Sequence, residues 1–305
     1  MFAKAKFAAF VALLLAAAPQ LHAQAATDNN IAERFRRQNA PATQQERTEA
    51  ILTGDTDLVL LRRTPLFTLF GTANLSPTSN ALLSAVGERS DIVLQAQAGL
   101  RIATRIGGRV DLFAQAAVIG VRYDRFAALG YNAITGAVGA SSQLAGFDVS
   151  LSYQPSIVYS RNFRDHQLTQ HQFIASVSRS FPIGPLVVTP AVSGQRVESS
   201  PSAYRNWAGG ADLSVTWPIR IGAAPAALFG AGRYEHRDFD DYFRDLLGVD
   251  RKDDLLEASA GIMVQPVHWG VLRAAYTFQH NRSTSDVNRY KVHSGAFSLS
   301  AAIRF

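Results

Sequence analysis

The chain has 305 residues, of which 18% are charged, with a formal net charge of +6 and no cysteine. The positive charge is mild and forms no basic stripe with interleaved aromatic residues, so it gives no reason to expect a nucleic-acid partner. Mean hydropathy is +0.01, which fits a water-soluble protein or one in which only every second strand residue meets lipid.

Residues 1–25 are predicted to be a signal peptide. Lys4 and Lys6 form a basic start, and an apolar run follows over 7–18. The run is shorter than the ~20 residues of a spanning helix, and 23–25 (Ala-Gln-Ala) fits a small-x-small cleavage site. A retained membrane anchor is the alternative. Cleavage removes both lysines and leaves a net charge of +4, and the lack of cysteine suits a chain that crosses an oxidising periplasm unfolded.

Residues 26–64 form a second region, which is polar and charged with weak apolar periodicity. We expect a periplasmic extension with a short helix, or a plug that folds back into the rest of the molecule. A flexible tail fits the same composition.

From residue 65 to residue 305 the sequence alternates between apolar and polar positions, as strands with one apolar face do. Most segments have the ~9–11 residues that a tilted strand needs to cross a bilayer. The candidate strands are 66–75, 91–104, 109–123, 131–143, 147–159, 170–181, 186–197, 204–217, 225–235, 255–265, 270–281 and 289–305.

The connections between these strands alternate in length. Short turns rich in Gly and Pro are predicted at 105–108, 144–146, 182–185 and 266–269. Longer polar links are predicted at 76–90, 160–169, 198–203, 236–254 and 282–288. Short periplasmic turns and long outer loops are typical of barrels that span an outer membrane.

Aromatic residues cluster where strands meet these connections, as two belts at two membrane interfaces would require. A membrane girdle beside the short turns is predicted from Phe147, Phe181, Trp217, Trp269 and Phe305. A second group beside the long loops comprises Tyr123, Tyr131, Tyr159, Tyr204, Tyr234 and Tyr290. Strict alternation points Tyr204 and Tyr290 inward, where they would line the mouth instead.

The predicted fold class is all-β: a transmembrane antiparallel up-and-down β-barrel of about twelve strands with a short N-terminal periplasmic extension. An even strand number places both ends of the chain on the periplasmic side. A soluble β-sandwich is the alternative, but it explains neither the alternating connection lengths nor the aromatic residue that ends the last strand.

Alternation also assigns candidate lumen residues. The predicted pore-lining side chains are Gln97, Arg101, Asp111, Gln115, Asp148, Asn206, Asp212, Glu257, Arg273 and Arg304. They form either a polar passage or an interior filled by paired charges that only maintains the barrel's shape. Twelve strands lie between the filled eight-stranded barrels and the wide porins, so both interpretations stay open.

Catalytic and metal-binding groups are not predicted. The segment 236–254 is rich in aspartate, but it lacks EF-hand spacing and is better explained as a solvated loop, with a short amphipathic helix from Phe239 to Leu247. His293 and Ser294 are adjacent and would face opposite ways, so they do not make a catalytic pair. We expect no enzyme activity, metal or cofactor.

Three short segments carry a resemblance: Thr78-Ser79-Asn80-Ala81, the stretch from Arg251 to Asp254, and the closing hairpin from Tyr276 to Phe305 with Ser283. On these, the region 65–305 resembles porin-like outer-membrane β-barrel proteins, and its layout is similar to the C-terminal barrel of surface lipoprotein assembly modifiers. The terminal Phe305 resembles the C-terminal insertion signal of such barrels.

The resemblance implies a Gram-negative outer-membrane protein that contacts membrane lipid and lipopolysaccharide and meets the barrel-assembly machinery through its last strand. We expect a channel or export conduit for small polar solutes or a secreted polymer. The alternative is a surface-assembly or anchoring barrel that holds a partner protein or polysaccharide without a conducting pore. Assembly modifiers also carry a periplasmic tetratricopeptide region, for which 26–64 is too short.

Overall fold

A computed structural model describes residues 66–85, 87–240 and 250–305. The predicted signal peptide, the extension over 26–64 and most of the amphipathic helix predicted near residue 243 lie outside these residues. Within the described ranges, no helix is long and apolar enough to cross a membrane.

The described chain is built from thirteen β-strands and three single-turn 3₁₀ helices. The strands are β1 Phe67–Thr78, β2 Asp91–Ile106, β3 Val110–Tyr123, β4 Tyr131–Leu144, β5 Phe147–Ser160, β6 His166–Ser178, β7 Phe181–Ile183, β8 Leu186–Ser200, β9 Asn206–Ile221, β10 Ala224–Phe239, β11 Lys252–Val267, β12 Gly270–Ser283 and β13 Tyr290–Arg304. The 3₁₀ turns lie at Ala127–Leu129, Ser202–Tyr204 and Asp286–Asn288.

Each strand pairs antiparallel with its neighbours, and β1 pairs with β13, so the sheet closes on itself. The three-residue β7 continues β6 past Ser178, because both pair with β8. The result is a closed twelve-stranded antiparallel barrel, as predicted. Closure leaves no unpaired sheet edge, which a bilayer requires of any β structure that spans it.

Short hairpin turns join the strands at one end of the barrel. Between β4 and β5 the turn is Ala145-Gly146, with φ of 52° and 79°, the two positive values of a type I′ turn. The turn between β9 and β10 was not among the predicted ones. It uses Gly222 at φ 60°, and the strands beside it run longer than the alternation indicated.

The outer loops are shorter than predicted. Strand β6 begins at His166, within the predicted link 160–169. The link predicted over 236–254 shrinks because β10 continues to Phe239 and β11 begins at Lys252. Charged side chains on the outward face of these strands lie beyond the lipid, so the apolar alternation used for the prediction stops before the strand does.

The outward face of the barrel is apolar across its middle. On β13, Phe297 is 62% exposed and Leu299 is 50% exposed, while the intervening Ser298 is half-buried on the inward face. The same alternation runs along β2. A continuous exposed apolar surface of this kind is stable only when hydrocarbon covers it.

The two aromatic groups have different outcomes. The five predicted girdle residues are all exposed at the end of the barrel with the short turns, and their role as a girdle stays a prediction: Phe147, Phe181, Trp217, Trp269 and Phe305. In the second group, Tyr234 is exposed but four tyrosines are buried: Tyr123, Tyr131, Tyr204 and Tyr290. The prediction of an interfacial belt was wrong for Tyr123 and Tyr131, because they occupy inward-facing positions of their strands. Tyr290 faces inward on β13, as the alternation predicted.

Candidate functional site in the barrel lumen

Strand parity places the ten predicted pore-lining side chains on the inward face, spread over β2, β3, β5, β9, β11, β12 and β13. They do not form one cluster. Asn206 is buried at the end with the long loops, here called the outer mouth, whereas Asp148 and Arg304 are exposed at the opposite rim. Their role in lining a conducting pore stays a prediction.

A charged ladder crosses the inner wall of β9 and β10. Glu235 is 2% exposed and accepts hydrogen bonds from Arg233 Nη2 and Arg237 Nε. Arg233 Nε lies 3.8 Å from Asp212 Oδ1 on the neighbouring strand. The charges alternate along the ladder, so each buried charge faces an opposite one, as burial in a low dielectric requires.

A second ion pair lies beside the ladder at the outer mouth. Arg251, just before β11, is 1% exposed and Asp253 is fully buried. Arg251 Nε lies 3.0 Å from each Asp253 carboxylate oxygen, and its guanidinium carbon stacks 4.1 Å from the centroid of the Phe239 ring. This pair therefore combines charge-assisted hydrogen bonds with a cation–π contact.

The lumen wall formed by β5, β6 and β8 is uncharged and mostly polar in its buried part, with four buried apolar residues among the polar ones: Val158, Leu168, Ile174 and Val197. Gln172 Nε2 donates to Gln195 Oε1 at 2.6 Å, and the hydroxyls of Ser150 and Ser176 are 2.7 Å apart. On β11 and β12, Gln279 Nε2 donates to Glu257 Oε2 at 2.5 Å. Amides and hydroxyls can both donate and accept, so this wall suits neutral polar molecules.

The wall of β3 and β4 is apolar toward the outer mouth. Its buried inward residues are Ala117, Ile119, Val121, Tyr123, Tyr131, Ala133 and Ala137. In the closed ring, β3 and β10 are half a turn apart, so this apolar wall lies across the lumen from the charged ladder. The lumen therefore has three sectors of different chemistry.

Residues 79–85, the first part of the connection between β1 and β2, fold toward the lumen. Asn80, in the segment singled out by the resemblance, donates from Nδ2 to the carbonyl oxygens of Ser84 at 2.8 Å and Lys291 at 3.2 Å. Leu83 packs in a buried cluster with Tyr290 and Val292, which point inward from β13. We call the segment from Ser79 to Ser90 the mouth loop.

The half of the lumen near the short turns is less densely buried. There, Arg101 lies 4.7 Å from the centroid of the Phe113 ring, and Arg273 lies 4.7 Å from that of Phe229. Each ring rests on a glycine of the next strand, Gly139 for Phe113 and Gly261 for Phe229. Phe113 and Phe229 stand on β3 and β10, so two matched aromatic–arginine units face each other across the lumen.

Sequence reasoning missed several lumen residues. Arg233, Glu235 and Arg237 repeat at the two-residue spacing of one strand face, and this signal was visible. It was not used because the predicted strand ended at residue 235. For Leu83, no local pattern signals its inward packing, because its partners lie about 200 residues away in the chain.

His293 and Ser294, the two residues considered as a catalytic pair, point to opposite faces of β13. His293 faces outward and its Nδ1 lies 2.6 Å from Tyr276 Oη, while Ser294 faces inward and donates to Thr78 Oγ1 at 3.2 Å. His236 Nδ1 lies 2.9 Å from Asp254 Oδ1. Among the described residues, no group of three or more His, Asp or Glu side chains is arranged to hold a metal ion.

Comparison with known proteins shows likeness of fold. No protein-family model and no curated protein matches the chain. An outer membrane channel from Pseudomonas putida F1 aligns over 80% of this chain and 97% of its own, at 12% identity and a TM-score of 0.50.

Two autotransporter domains also align. The β domain of the Bordetella autotransporter BrkA matches at 12% identity and a TM-score of 0.47, over 78% of this chain and all of its own. The translocator domain of NalP from Neisseria meningitidis matches at 16% identity and a TM-score of 0.44, over 88% and 98%.

The closed barrel, its apolar outer face and its fold likeness define the class. The chain is a bacterial outer-membrane β-barrel protein, and it resides in the outer membrane. The loops then lie on the outside of the cell and the short turns on the periplasmic side.

Proposed function

We propose that this barrel is an outer-membrane channel for small polar solutes, with its outer mouth closed in the conformation described. The observation that carries the proposal is the mostly polar inner wall that runs from β5 round to β12. A barrel that served only as an anchor would gain as much stability from an apolar filling, because replacing buried ion pairs by packed hydrophobic residues is often neutral or stabilising.

Unsatisfied amide groups support a passage over a merely filled interior. Gln170 Nε2, Asn206 Oδ1 and Asn281 Oδ1 are buried and have no hydrogen-bond partner within the described chain. Buried polar atoms in a structural core are nearly always paired. Inward amides of this kind suit a lumen in which polar molecules supply the missing partner.

Closure of the outer mouth is inferred from burial. Inward residues there are almost inaccessible on opposite walls, as Tyr131 on β4 and Asp253 on β11 illustrate. The mouth loop adds Leu83 to this packing. Small solutes are favoured over a secreted polymer, because a polymer would require all of these contacts to separate at once.

Single-channel recording in planar lipid bilayers tests the proposal. The wild-type protein is compared with a variant that lacks residues 81–89 of the mouth loop. Phe163→Ser, in the exposed loop between β5 and β6, serves as the control. We expect brief, small openings for wild type and control, and a steady, larger conductance for the deletion variant.

Silence of all three proteins after verified insertion would contradict the channel. It would favour the anchoring alternative, in which the barrel holds a surface partner. Heat-modifiable mobility on gels confirms that each variant is a folded barrel before recording.

A further inference from the structure

The outward surface of β12 and β13 changes in character from the membrane centre to the cell surface. Leu272 and Leu299 are paired and exposed at the level of the apolar band. Above them come Tyr276 and Phe278, which flank His293. The next outward positions are all basic: His280, Arg282 and Lys291.

These three basic residues are close neighbours. His280 and Lys291 are direct cross-strand partners, and Arg282 lies two residues beyond His280 on the same face of β12. Like charges that lie close together on one face of a sheet destabilise it, so Arg282 and Lys291 favour an anion beside them. We call His280, Arg282 and Lys291 the basic triad.

Several other cations near the cell surface are neutralised by carboxylates of the protein. Arg196 bonds to Asp240, Lys252 Nζ lies 3.1 Å from Asp238 Oδ2, and Arg289 Nη1 lies 2.9 Å from Asp286 Oδ1. Within the described ranges, by contrast, the triad side chains form no hydrogen bond or ion pair.

One carboxylate stands near the triad. Asp254 on β11 is the cross-strand partner of Arg282. It already accepts hydrogen bonds from Tyr234 Oη at 2.7 Å and lies 2.9 Å from His236 Nδ1. The single charge of Asp254 is thus shared with other groups and does not balance the triad.

The height of the triad matches lipid headgroups. From Gly270, where β12 begins, to His280 the strand climbs roughly 26 Å at about 3.4 Å per residue and a tilt of about 40°. The apolar band of such barrels is about 25 Å tall. The triad therefore lies at the outer edge of the hydrocarbon, level with the phosphate groups of the outer leaflet.

We propose that the basic triad is a binding site for a phosphate group of lipid A, the anchor of lipopolysaccharide. Lys291 and Arg282 donate charge-assisted hydrogen bonds to the phosphate oxygens, and His280 adds a donor between them. The aromatic residues below the triad pack against the first part of the acyl chains, as interfacial rings do.

A groove that begins at His293, the next outward residue below Lys291 on β13, gives room for the sugar. It has a volume of about 380 Å³, and its lining includes Pro77, Arg125, Tyr276, His293 and Gly295 together with the carboxylates of Asp91 and Asp124. Pro77 and Gly295 leave this part of the β1–β13 seam without bulky outward side chains. The basic triad lies on the outward face and shares no residue with the lumen. A negative result for lipid A binding would therefore not contradict the channel proposal.

Binding of purified lipid A to the detergent-solubilised full-length protein tests the site. Affinity is measured by thermophoresis, and stoichiometry by native mass spectrometry. The test variant is Arg282→Ala/Lys291→Ala; the matched control is Lys252→Ala/Arg289→Ala, which removes two outward cations that have protein partners. Lys291→Ala alone is a milder second variant in case the double one folds poorly.

We expect the double variant to bind lipid A roughly tenfold or more weakly than wild type, since hydrogen bonds to charged groups contribute about 1.5–3 kcal/mol each. The control should change affinity less than about twofold. Chemical removal of the phosphates should weaken the binding of lipid A to wild type at least as much as the double substitution weakens the binding of intact lipid A. Equal binding of intact lipid A by wild type and both triad variants, or equal binding of both lipids by wild type, would overturn the proposal.

Discussion

Arg196 and Asp240 form a two-point ion pair on the outer wall, with Nη1–Oδ1 at 2.9 Å and Nη2–Oδ2 at 2.5 Å. Arg196 Nε also donates to Glu198 Oε1 at 2.7 Å, and its guanidinium lies 5.1 Å from the Trp207 ring centroid. Asp240 is the first residue after β10, so the pair ties the start of that connection to β8 and β9.

The stability that the Arg196–Asp240 ion pair contributes should depend on pH. Hydrogen bonding to Arg196 lowers the pKa of the Asp240 carboxyl below its usual 3.8. A lowered folded-state pKa stabilises the protein above the unfolded-state value, and this contribution disappears as pH falls through the folded-state pKa. Asp240→Asn should therefore lower stability by about 0.5–1 kcal/mol at pH 7 and by less than that at pH 2.5.

Urea unfolding of detergent-solubilised protein at both pH values measures the difference. Asp286→Asn is the control, because Asp286 forms an exposed pair with Arg289 alone. A loss for Asp240→Asn that is the same at both pH values would contradict the role of the ionised carboxylate.

Gly139→Ala should destabilise the barrel, because the Phe113 ring packs directly against Gly139. A Cβ there would lie 2.6 Å from two Phe113 ring carbons and 2.7 Å from the Leu151 carbonyl oxygen. We expect a loss of roughly 1–3 kcal/mol in the free energy of unfolding, typical of overpacking. Gly232→Ala, where a Cβ meets nothing within 4 Å, is the matched control in the same urea titration.

A partial recovery in Phe113→Ala/Gly139→Ala would assign the loss to the ring. If the double variant is as unstable as the sum of its single changes, the clash with the Leu151 backbone is responsible instead.

Arg251→Met should be among the most damaging single changes, since it leaves Asp253 buried without its cation. Breaking a buried pair in this way costs about 3–5 kcal/mol. Arg251→Met/Asp253→Leu should recover much of the stability, because both charges leave together. Thermal unfolding followed by gel mobility ranks the variants, with Arg289→Met as an exposed control. A double variant no better than the single one would contradict this account.

Asn80→Ala should release the mouth loop, because the Asn80 side chain holds Ser84 and the β13 backbone. Trypsin should then cut after Arg89 several times faster in intact folded protein. Asn132→Ala, which removes a side chain bonded to the β5–β6 connection, should leave that rate unchanged. Equal cleavage of wild type and Asn80→Ala would show that other contacts hold the loop.

Prediction of the fold succeeded where the signal is local. Whether Phe297 or Ser298 meets lipid depends only on the two-residue period of a strand, and the turn at Ala145-Gly146 is encoded in adjacent residues. Prediction failed at strand ends. Tyr131 was placed in an aromatic belt because of its position beside a loop, although its parity as the first residue of β4 directs it inward.

The candidate site was predicted in part. The alternation of side chains along a strand was enough to place Asp212 and Arg273 on the lumen side. It did not show which charged residues form ion pairs with each other. Glu235 was overlooked although its spacing from Arg233 and Arg237 puts all three on one face. The contact between Leu83 and Tyr290 depends on how a loop folds over the mouth, which neighbouring residues do not encode.

The amino-acid sequence alone determined the class of this protein. A β structure that spans a bilayer must have apolar and polar residues in alternation, and this pattern is present in the strands from Phe67 to Arg304. Closure of the ring decided the rest. It set β3 across from β10, brought Asn80 to the backbone of Lys291, and aligned His280 with Lys291, since these distances depend on the register of strands that are far apart in the chain.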